Sequence, residues 1–321
     1  MSVVVVVAGG SSGLGRAIVD ALMEDGRFEV LIFSRTGNSQ IEKESGARVL
    51  AVDYSNVDAL TTILETNNVE VLITTANTMH DPTPELNMIA AAARSHSTKR
   101  FIPNTWSALE FKDDTQRPRF KNFPLAQGRL EAMAQLQQTG LEWTAIYPGL
   151  FMEYVTEGLP STLTINTMMF DVKHNAAALP NNGEAKITLT YSRDIAKYIP
   201  KLLMLEKWEP AYFIIGDVKS WNEVVAAAEK GKGVKFNVTY DSLEQLRVGK
   251  VTELPGHARM YERFGGRERA LPVVQGLFAQ YGLWMDEGLF TYQDGAKLND
   301  LFPEVETLGL EEAWKVAGGK A

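Results

Sequence analysis

The chain opens on an unbroken apolar run, Val3-Val4-Val5-Val6-Val7-Ala8, with five β-branched residues and no polar position between them. Such a run predicts a strand buried on both faces, as in a parallel sheet. It passes into Gly9-Gly10-Ser11-Ser12-Gly13-Leu14-Gly15, beyond which Leu14, Ile18, Ala21 and Leu22 recur at helical spacing. The same alternation continues through the first half. Strands are predicted at Val3–Ala8, Phe28–Phe33, Arg48–Val52, Val69–Thr74, Arg100–Ile102 and Trp143–Tyr147, and helices at Leu14–Glu24, Val57–Glu65, Pro84–Arg94 and Leu125–Gln138. The expected fold class is α/β: a doubly wound parallel sheet that binds ligands over the carboxyl ends of its strands.

After Pro148-Gly149 the pattern changes. Leu150 to Phe170 is rich in Leu, Phe, Met and Tyr but broken by glycine, proline and threonine, so a loop-and-helix wall is expected. Further strands are predicted at Lys186–Tyr191 and Tyr212–Ile215, around a helix Ser192–Leu205. From Asp217 onward the reading is of short helices and loops, with Pro255, Gly256, Gly265 and Gly266 marking an irregular connection. The expected organisation is two interleaved lobes. Residues 1–150 and about 185–217 form a nucleotide-binding domain; about 151–184 and 218–321 form a smaller α/β lobe.

The glycine turn is the first candidate site. Glycine there permits positive φ and close backbone approach, and a helix N-terminus offers N–H groups and partial positive charge to a phosphate. Gly9, Gly10, Ser11, Ser12, Gly13, Leu14 and Gly15 are therefore candidates to hold a dinucleotide pyrophosphate. The second strand ends in Ser34-Arg35-Thr36, about twenty residues on. An acidic residue there would grip a ribose 2′-hydroxyl. Arg35 offers a guanidinium suited to a 2′-phosphate, which favours NADPH over NADH. Asp53, at the end of the third strand, is expected to border the adenine. On the same edge, Thr75, Ala76 and Asn77 follow the fourth strand and Pro103, Asn104 and Thr105 follow the fifth; all six are candidate cofactor contacts.

Composition narrows the class. The 321 residues carry a net charge of −8, no electrostatic footprint for nucleic acid. With no cysteine, thiolate nucleophiles, disulfides and cysteine metal sites are excluded. The initial apolar run is too short for a signal peptide, and no stretch is long enough to cross a bilayer; the expected location is the cytoplasm. His80, His96, His174 and His257 show no metal spacing; His80 alone follows a strand on the cofactor edge. Neither G-x-S-x-G nor G-x-x-x-x-G-K-[ST] occurs, which disfavours an α/β-hydrolase and a P-loop enzyme. None of the ten tyrosines has a lysine four residues later, so the Tyr-x-x-x-Lys machinery of many short-chain dehydrogenases is missing.

Several segments resemble the fungal isoflavone reductase-like proteins among the NmrA-like atypical short-chain dehydrogenases. They are Val7 to Arg16, Lys99-Arg100-Phe101-Ile102-Pro103, Gly140-Leu141-Glu142-Trp143-Thr144 with Tyr147-Pro148-Gly149, Ser192-Arg193-Asp194-Ile195-Ala196, and Val238-Thr239-Tyr240-Asp241-Ser242-Leu243. The resemblance spans nearly the whole chain. It implies a Rossmann domain, a smaller substrate-binding lobe and NADPH. It also implies an aromatic, hydrophobic secondary metabolite as substrate, though some members are dinucleotide-sensing regulators. The chain departs from that pattern twice. Asn104-Thr105-Trp106 stands where Ser-Glu-Phe or Ser-Glu-Trp is usual, and Arg129 stands where reductases carry a lysine, with Lys121 one loop earlier.

The leading expectation is an NADPH-dependent reductase of a C=C, C=N or C=O group in an aromatic metabolite, working as a monomer or homodimer. Arg129 would stabilise developing negative charge. A proton would come from water, Tyr147, Tyr154 or His80, with Lys121 as the substitute for the missing lysine. Trp106, Phe151, Met152, Tyr154, Met168, Met169 and Phe170 would supply the apolar wall, although such residues fill cores equally well. The rival readings are an NADP(H)-binding redox sensor and a non-redox cyclase or isomerase on the same fold.

Overall fold

The computed structural model describes residues 2–76, 81–110, 120 and 123–318. The chain divides into two compact units, Met1–Tyr147 with Ile195–Phe213 and Gly295–Val305, and Pro148–Asp194 with Ile214–Asp294 and Glu306–Ala321.

The first unit is built on a six-stranded sheet of β1 (Val3–Ala8), β2 (Phe28–Ser34), β3 (Arg48–Ala51), β4 (Val71–Thr74), β5 (Arg100–Ile102) and β6 (Glu142–Trp143). All neighbours pair in parallel, in the order β3-β2-β1-β4-β5-β6. This is the doubly wound dinucleotide-binding order, with its crevice where the winding reverses between β1 and β4. The helices between its strands are α1 (Gly13–Asp25), α2 (Ser39–Ser45), α3 (Val57–Thr66), α4 (Thr83–Arg94) and α5 (Pro124–Leu136). Residues Val5 to Ala8 have no exposed surface, as a strand covered on both faces requires. On one face Val6, Leu31, Phe33, Leu72, Phe101 and Leu136 share a core with α3 and α4. Helix α1 buries Leu14, Ile18, Val19 and Leu22, and stops at Gly26, whose φ of 75° lets its N–H reach the Leu22 carbonyl.

The strand expected at Trp143–Tyr147 is two strands in different sheets. Glu142–Trp143 pairs with β5, whereas Ala145–Tyr147 pairs in parallel with Ala211–Phe213, itself flanked by Ala296–Lys297. Thr144 is the hinge. Its N–H still reaches the Phe101 carbonyl (3.3 Å), and the next N–H, of Ala145, turns to the Pro210 carbonyl (3.1 Å). Every buried N–H must find an acceptor, and here the acceptor changes sheet. Arg100 braces the junction: its Nε donates to Glu142 (2.7 Å), and its terminal nitrogens donate to the Leu203 and Glu206 carbonyls.

The second unit contains two three-stranded sheets. In one, Lys186–Thr190 lies between Asp217–Ser220 (antiparallel) and Leu150–Phe151 (parallel). In the other, Ala176–Pro180 lies between Asn237–Asp241 (parallel) and Phe170–Asp171 (antiparallel). The expectation of short helices and loops beyond Asp217 is corrected by two regular helices. Trp221–Lys232 begins in a reciprocal capping box between Ser220 and Glu223. Arg267–Asp286 runs for twenty residues with Pro272 inside it. The proline removes one backbone donor, but Ala270, Val274, Phe278 and Met285 bury an unbroken helical face, and that burial prevails. Gly265 and Gly266, with φ of 88° and 102°, lie just before this helix as its entry turn.

The core carries one direct test. Phe101 is fully buried on β5, so Phe101→Ala should lower unfolding free energy by about 3–5 kcal/mol. Chemical denaturation followed by circular dichroism measures it; a loss under about 1 kcal/mol would contradict the packing described.

Candidate functional site

The C-terminal edge of the six-stranded sheet is shaped by glycine. Gly9 leaves β1 at φ 84°, its N–H donating to the Phe33 carbonyl, and Gly13 opens α1 at φ 59°. A β-carbon on Gly15 would lie 2.3 Å from Thr75 Oγ1 and 2.4 Å from the Gly9 carbonyl oxygen. One on Gly9 would lie 2.8 Å from the same hydroxyl. Gly10 is equally confined, 2.9 Å from Val19 Cγ2. The hydroxyl of Thr75 donates to the Ala8 carbonyl at 3.0 Å, tying the loop after β4 to the end of β1. Ser12 is the N-cap of α1 with extended backbone. Its side chain makes no capping bond, and the first turn holds no acid. Ser11 is half-buried, Ser12 exposed and Leu14 buried against the sheet. A tight turn, a cradle that a β-carbon would fill and a helix start without a competing anion fit a dinucleotide pyrophosphate.

Beside it lies a cavity of about 640 Å³ lined by Arg35, Ala51, Val52, Asp53, Tyr54, Ser55, Asp81, Thr83 and Pro84. Arg35 is exposed just beyond β2, where the Val52 N–H holds the Ser34 carbonyl at 2.8 Å. Asp53 accepts from the Ser55 N–H (2.9 Å) and hydroxyl (2.6 Å), and these bonds hold its carboxyl below the ordinary range. Tyr54 packs against the core, where burial pushes its phenol up to about 12 and keeps it neutral. Arg35 and Asp53, predicted from two strand ends, thus line one cavity.

The β4–β5 side is tied by side chains. Asn104, just past β5, donates from Nδ2 to the Ala76 carbonyl at 2.6 Å, and Arg129 on α5 donates from Nε to the Asn104 carbonyl at 3.1 Å. Trp106 is buried, its indole N–H on the Thr74 carbonyl at 2.8 Å. Pro103 is buried; its carbonyl accepts from the Thr105 N–H, and the buried Thr105 hydroxyl accepts from the Ile146 N–H at 3.0 Å. Thr105 therefore serves the passage into Ala145–Tyr147. Tyr147 is buried at the end of that strand, stacked on Phe213 (5.6 Å), with its hydroxyl 4.0 Å from Met133 Sδ. Asn77, His80 and Lys121 lie outside the described residues.

One participant escaped the sequence reading. Glu85, in the first turn of α4, is buried to 1 % exposure. Its Oε1 accepts from the Thr74 hydroxyl (2.6 Å) and the Asn104 N–H (2.6 Å). An acid in a first helical turn ordinarily only complements the helix dipole, so the sequence carried no sign of burial.

The second unit has its own cavity, of about 530 Å³, whose lining includes Tyr154, Leu159, Ile165, Phe170, His174 and Arg259. Phe151 and Tyr154 meet edge to face at 5.6 Å, and Phe170 stacks on Phe236 at 5.0 Å. Of the expected apolar wall, Tyr154 and Phe170 line this cavity. Met152 has no exposed surface and Met169 is 3 % exposed, so both are core residues; the turn after Phe151 points Met152 inward. Met168 packs against the core around Phe278, and its carbonyl meets His257 Nε2 at 2.8 Å. Among the described residues no cluster of His, Asp or Glu could hold a metal ion, and no helix is long and apolar enough to cross a membrane.

Residues 9–167 match the family model described as NAD(P)H-binding. The chain is 31 % identical to Oxidoreductase BOA1 of Botryotinia fuckeliana over 310 residues, covering 94 % of this chain and 95 % of that protein. Among solved structures it is similar to AtPrR2 with NADP+ and (+)pinoresinol, with a TM-score of 0.72 at 19 % identity over 98 % of this chain and 99 % of that one. It is also similar to an isoflavone reductase, with a TM-score of 0.69 at 17 % identity and the same coverage. The chain belongs to the family of NAD(P)H-binding oxidoreductases that includes BOA1, and it shares its fold with the isoflavone reductase. Its class is that of an NAD(P)H-dependent oxidoreductase on a Rossmann-type sheet.

The glycine cradle is tested by Gly15→Val. A β-branched side chain cannot enter a space closed by the Gly9 backbone, so the turn must move. The variant should lose the thermal stabilisation that NADPH gives the wild type. A variant stabilised as strongly as wild type would show that the turn only connects β1 to α1.

Proposed function

We propose that this protein is an NADPH-dependent reductase of a hydrophobic, aromatic small molecule. The observation that carries the reading is the cofactor edge of the first unit: a glycine cradle closed to any β-carbon, beside a cavity where Arg35 stands at the strand end that an acid would occupy for NADH. Bound NADPH supplies a hydride to an electron-poor carbon. Arg35 recognises the 2′-phosphate through charge-assisted hydrogen bonds, and Asp53 and Tyr54 border the adenine. Thr75, Ala76 and Asn104 line the opposite half of the crevice.

Arg129 acts there as a fixed positive charge. Anchored through Nε on the Asn104 carbonyl, its guanidinium stabilises the negative charge that hydride addition develops on the substrate. Arginine stays protonated, so the proton that completes the reduction comes from another donor, such as water. The Tyr154 and Phe170 cavity offers aromatic faces and an irregular wall, which suits a flat aromatic ligand. That AtPrR2 was solved with (+)pinoresinol supports the substrate class.

Two measurements test this. Titration should show tighter binding of NADPH than of NADH, and Arg35→Ala should weaken NADPH by about 1.5–3 kcal/mol while sparing NADH. Equal wild-type affinities would remove the assignment.

Single-turnover oxidation of NADPH with a panel of aromatic enones, imines and ketones should detect reduction, and Arg129→Ala should slow it ~10²–10³-fold without loss of fold. Arg129→Lys separates point charge from planar fork: retained activity assigns charge alone, and a large loss assigns geometry. NADPH that binds but is never consumed would point to a redox sensor, and product formed without consumption to an isomerase or cyclase.

A further inference from the structure

Glu85 is a buried acid of the first unit that the reading above leaves without a role. Its Oε1 gathers two donors from separate parts of the chain, the hydroxyl of Thr74 at the end of β4 and the N–H of Asn104 beyond β5, each at 2.6 Å. Asn104 continues outward: its side chain holds the Ala76 carbonyl, and its own carbonyl receives Arg129 Nε. One carboxylate oxygen thus sits at the root of contacts joining β4, the loop after β4, the loop after β5 and α5. The other oxygen, Oε2, has no hydrogen-bond partner among the described residues, although Glu85 is only 1 % exposed.

Burying a carboxyl with half of its capacity unmet is costly, and a glutamate kept only for packing would be better replaced by an apolar residue. Helix stability does not demand it either. An acid in the first turn helps through the dipole, which an exposed side chain does as well. What this position supplies is an acceptor that two strand-end loops share. In a doubly wound sheet the β1–β3 half receives one mononucleotide of a dinucleotide, and the β4–β6 half receives the other. Arg35 lies in the first half, although its cavity is closed on one side by Asp81, Thr83 and Pro84 at the start of α4. The partners of Glu85, at the end of β4 and beyond β5, lie in the half that takes the nicotinamide.

We propose that Glu85 is a positioning residue, holding the loops after β4 and β5, and through Asn104 the guanidinium of Arg129, in register for the nicotinamide half of NADPH. The proposal rests on the reductase reading above. Burial pushes the Glu85 carboxyl above the ordinary carboxylate range, against the opposing pull of its two donors and of the Arg129 charge. Oε1 is an acceptor in either protonation state, and glutamine in its place would keep an acceptor there too.

The test compares two probes on the full chain by calorimetry: NADPH, and adenosine 2′,5′-bisphosphate, which carries only the adenine half. Glu85→Ala should weaken NADPH about tenfold or more and leave the bisphosphate unchanged. Glu85→Gln should bind both within about twofold of wild type, because the shared acceptor survives. If Glu85→Ala fails to fold, Thr74→Val, which removes one of the two donors without changing volume much, should weaken NADPH selectively. Equal weakening of both probes would reduce Glu85 to a stability residue, and unchanged NADPH affinity in Glu85→Ala would remove its role; either overturns the proposal. So would a Glu85→Gln variant that behaves like Glu85→Ala. The comparison needs no substrate, so it remains decisive even if no compound is reduced and the reductase reading falls.

Discussion

The site depends on one steric constraint: the first turn of α1 and the loops after β1 and β4 are packed so closely that Gly15 has no room for a β-carbon. The Gly9 carbonyl and the Thr75 hydroxyl occupy that space at 2.4 and 2.3 Å. The closeness brings the helix N-terminus down onto the strand ends, where its dipole and N–H groups converge on one point. It also joins β1 to β4 at the place where the sheet reverses its winding, through the Thr75–Ala8 bond. Were α1 to stand off by the radius of a methyl group, the crevice would lose both its floor and its field.

The two halves of the crevice use charge in opposite ways. Around Arg35 the groups are exposed and held by short local bonds, as in the Asp53–Ser55 turn, so a phosphate can exchange its water for guanidinium at little cost. Around Glu85 the groups are buried, and their bonds run between elements far apart in sequence: 11 residues from Thr74, 19 from Asn104 and 25 between Asn104 and Arg129. Fixed dipoles in a low dielectric act on developing charge without reorganising, which exposed groups cannot do. On the proposed reading, the exposed half selects the cofactor and the buried half conducts the reaction.

How legible this was in the sequence follows from the range of each interaction. β1 stood out with its final bounds, because a buried parallel strand is a continuous apolar run needing no partner to be recognised. Arg35 could be found by counting from the glycines, since the spacing between the turn and the second strand end is set by one helix. The split at Thr144 was not legible: it depends on the Pro210 carbonyl, 65 residues onward, being available to Ala145. Nor was the twenty-residue helix, whose Pro272 is a local signal outweighed by the burial of Val274 and Phe278. Met152 and Tyr154 read as equals in a hydrophobic wall, yet one short turn sends Met152 into the core and leaves Tyr154 on the cavity. Glu85 was invisible for the same reason: burial is a property of neighbours.

On the proposed reading, arginine at position 129, where the resemblance implies a lysine, changes what this half of the site can do. A lysine near the reacting carbon can lose its proton when desolvated and so relay one; guanidinium holds its charge under any condition in which the protein is folded. In return, the planar fork can be anchored through one nitrogen and still present its charge in a fixed direction, as the Nε bond to the Asn104 carbonyl does here. An anchored permanent cation favours any step that builds negative charge, and it leaves the proton to another donor. Its charge also acts on Glu85, pulling down a carboxyl that burial pushes above the ordinary range. The cost of burying Glu85 is offset in part by that cation and by its two shared donors, so on the proposed reading the arginine and the buried acid are two parts of one electrostatic arrangement.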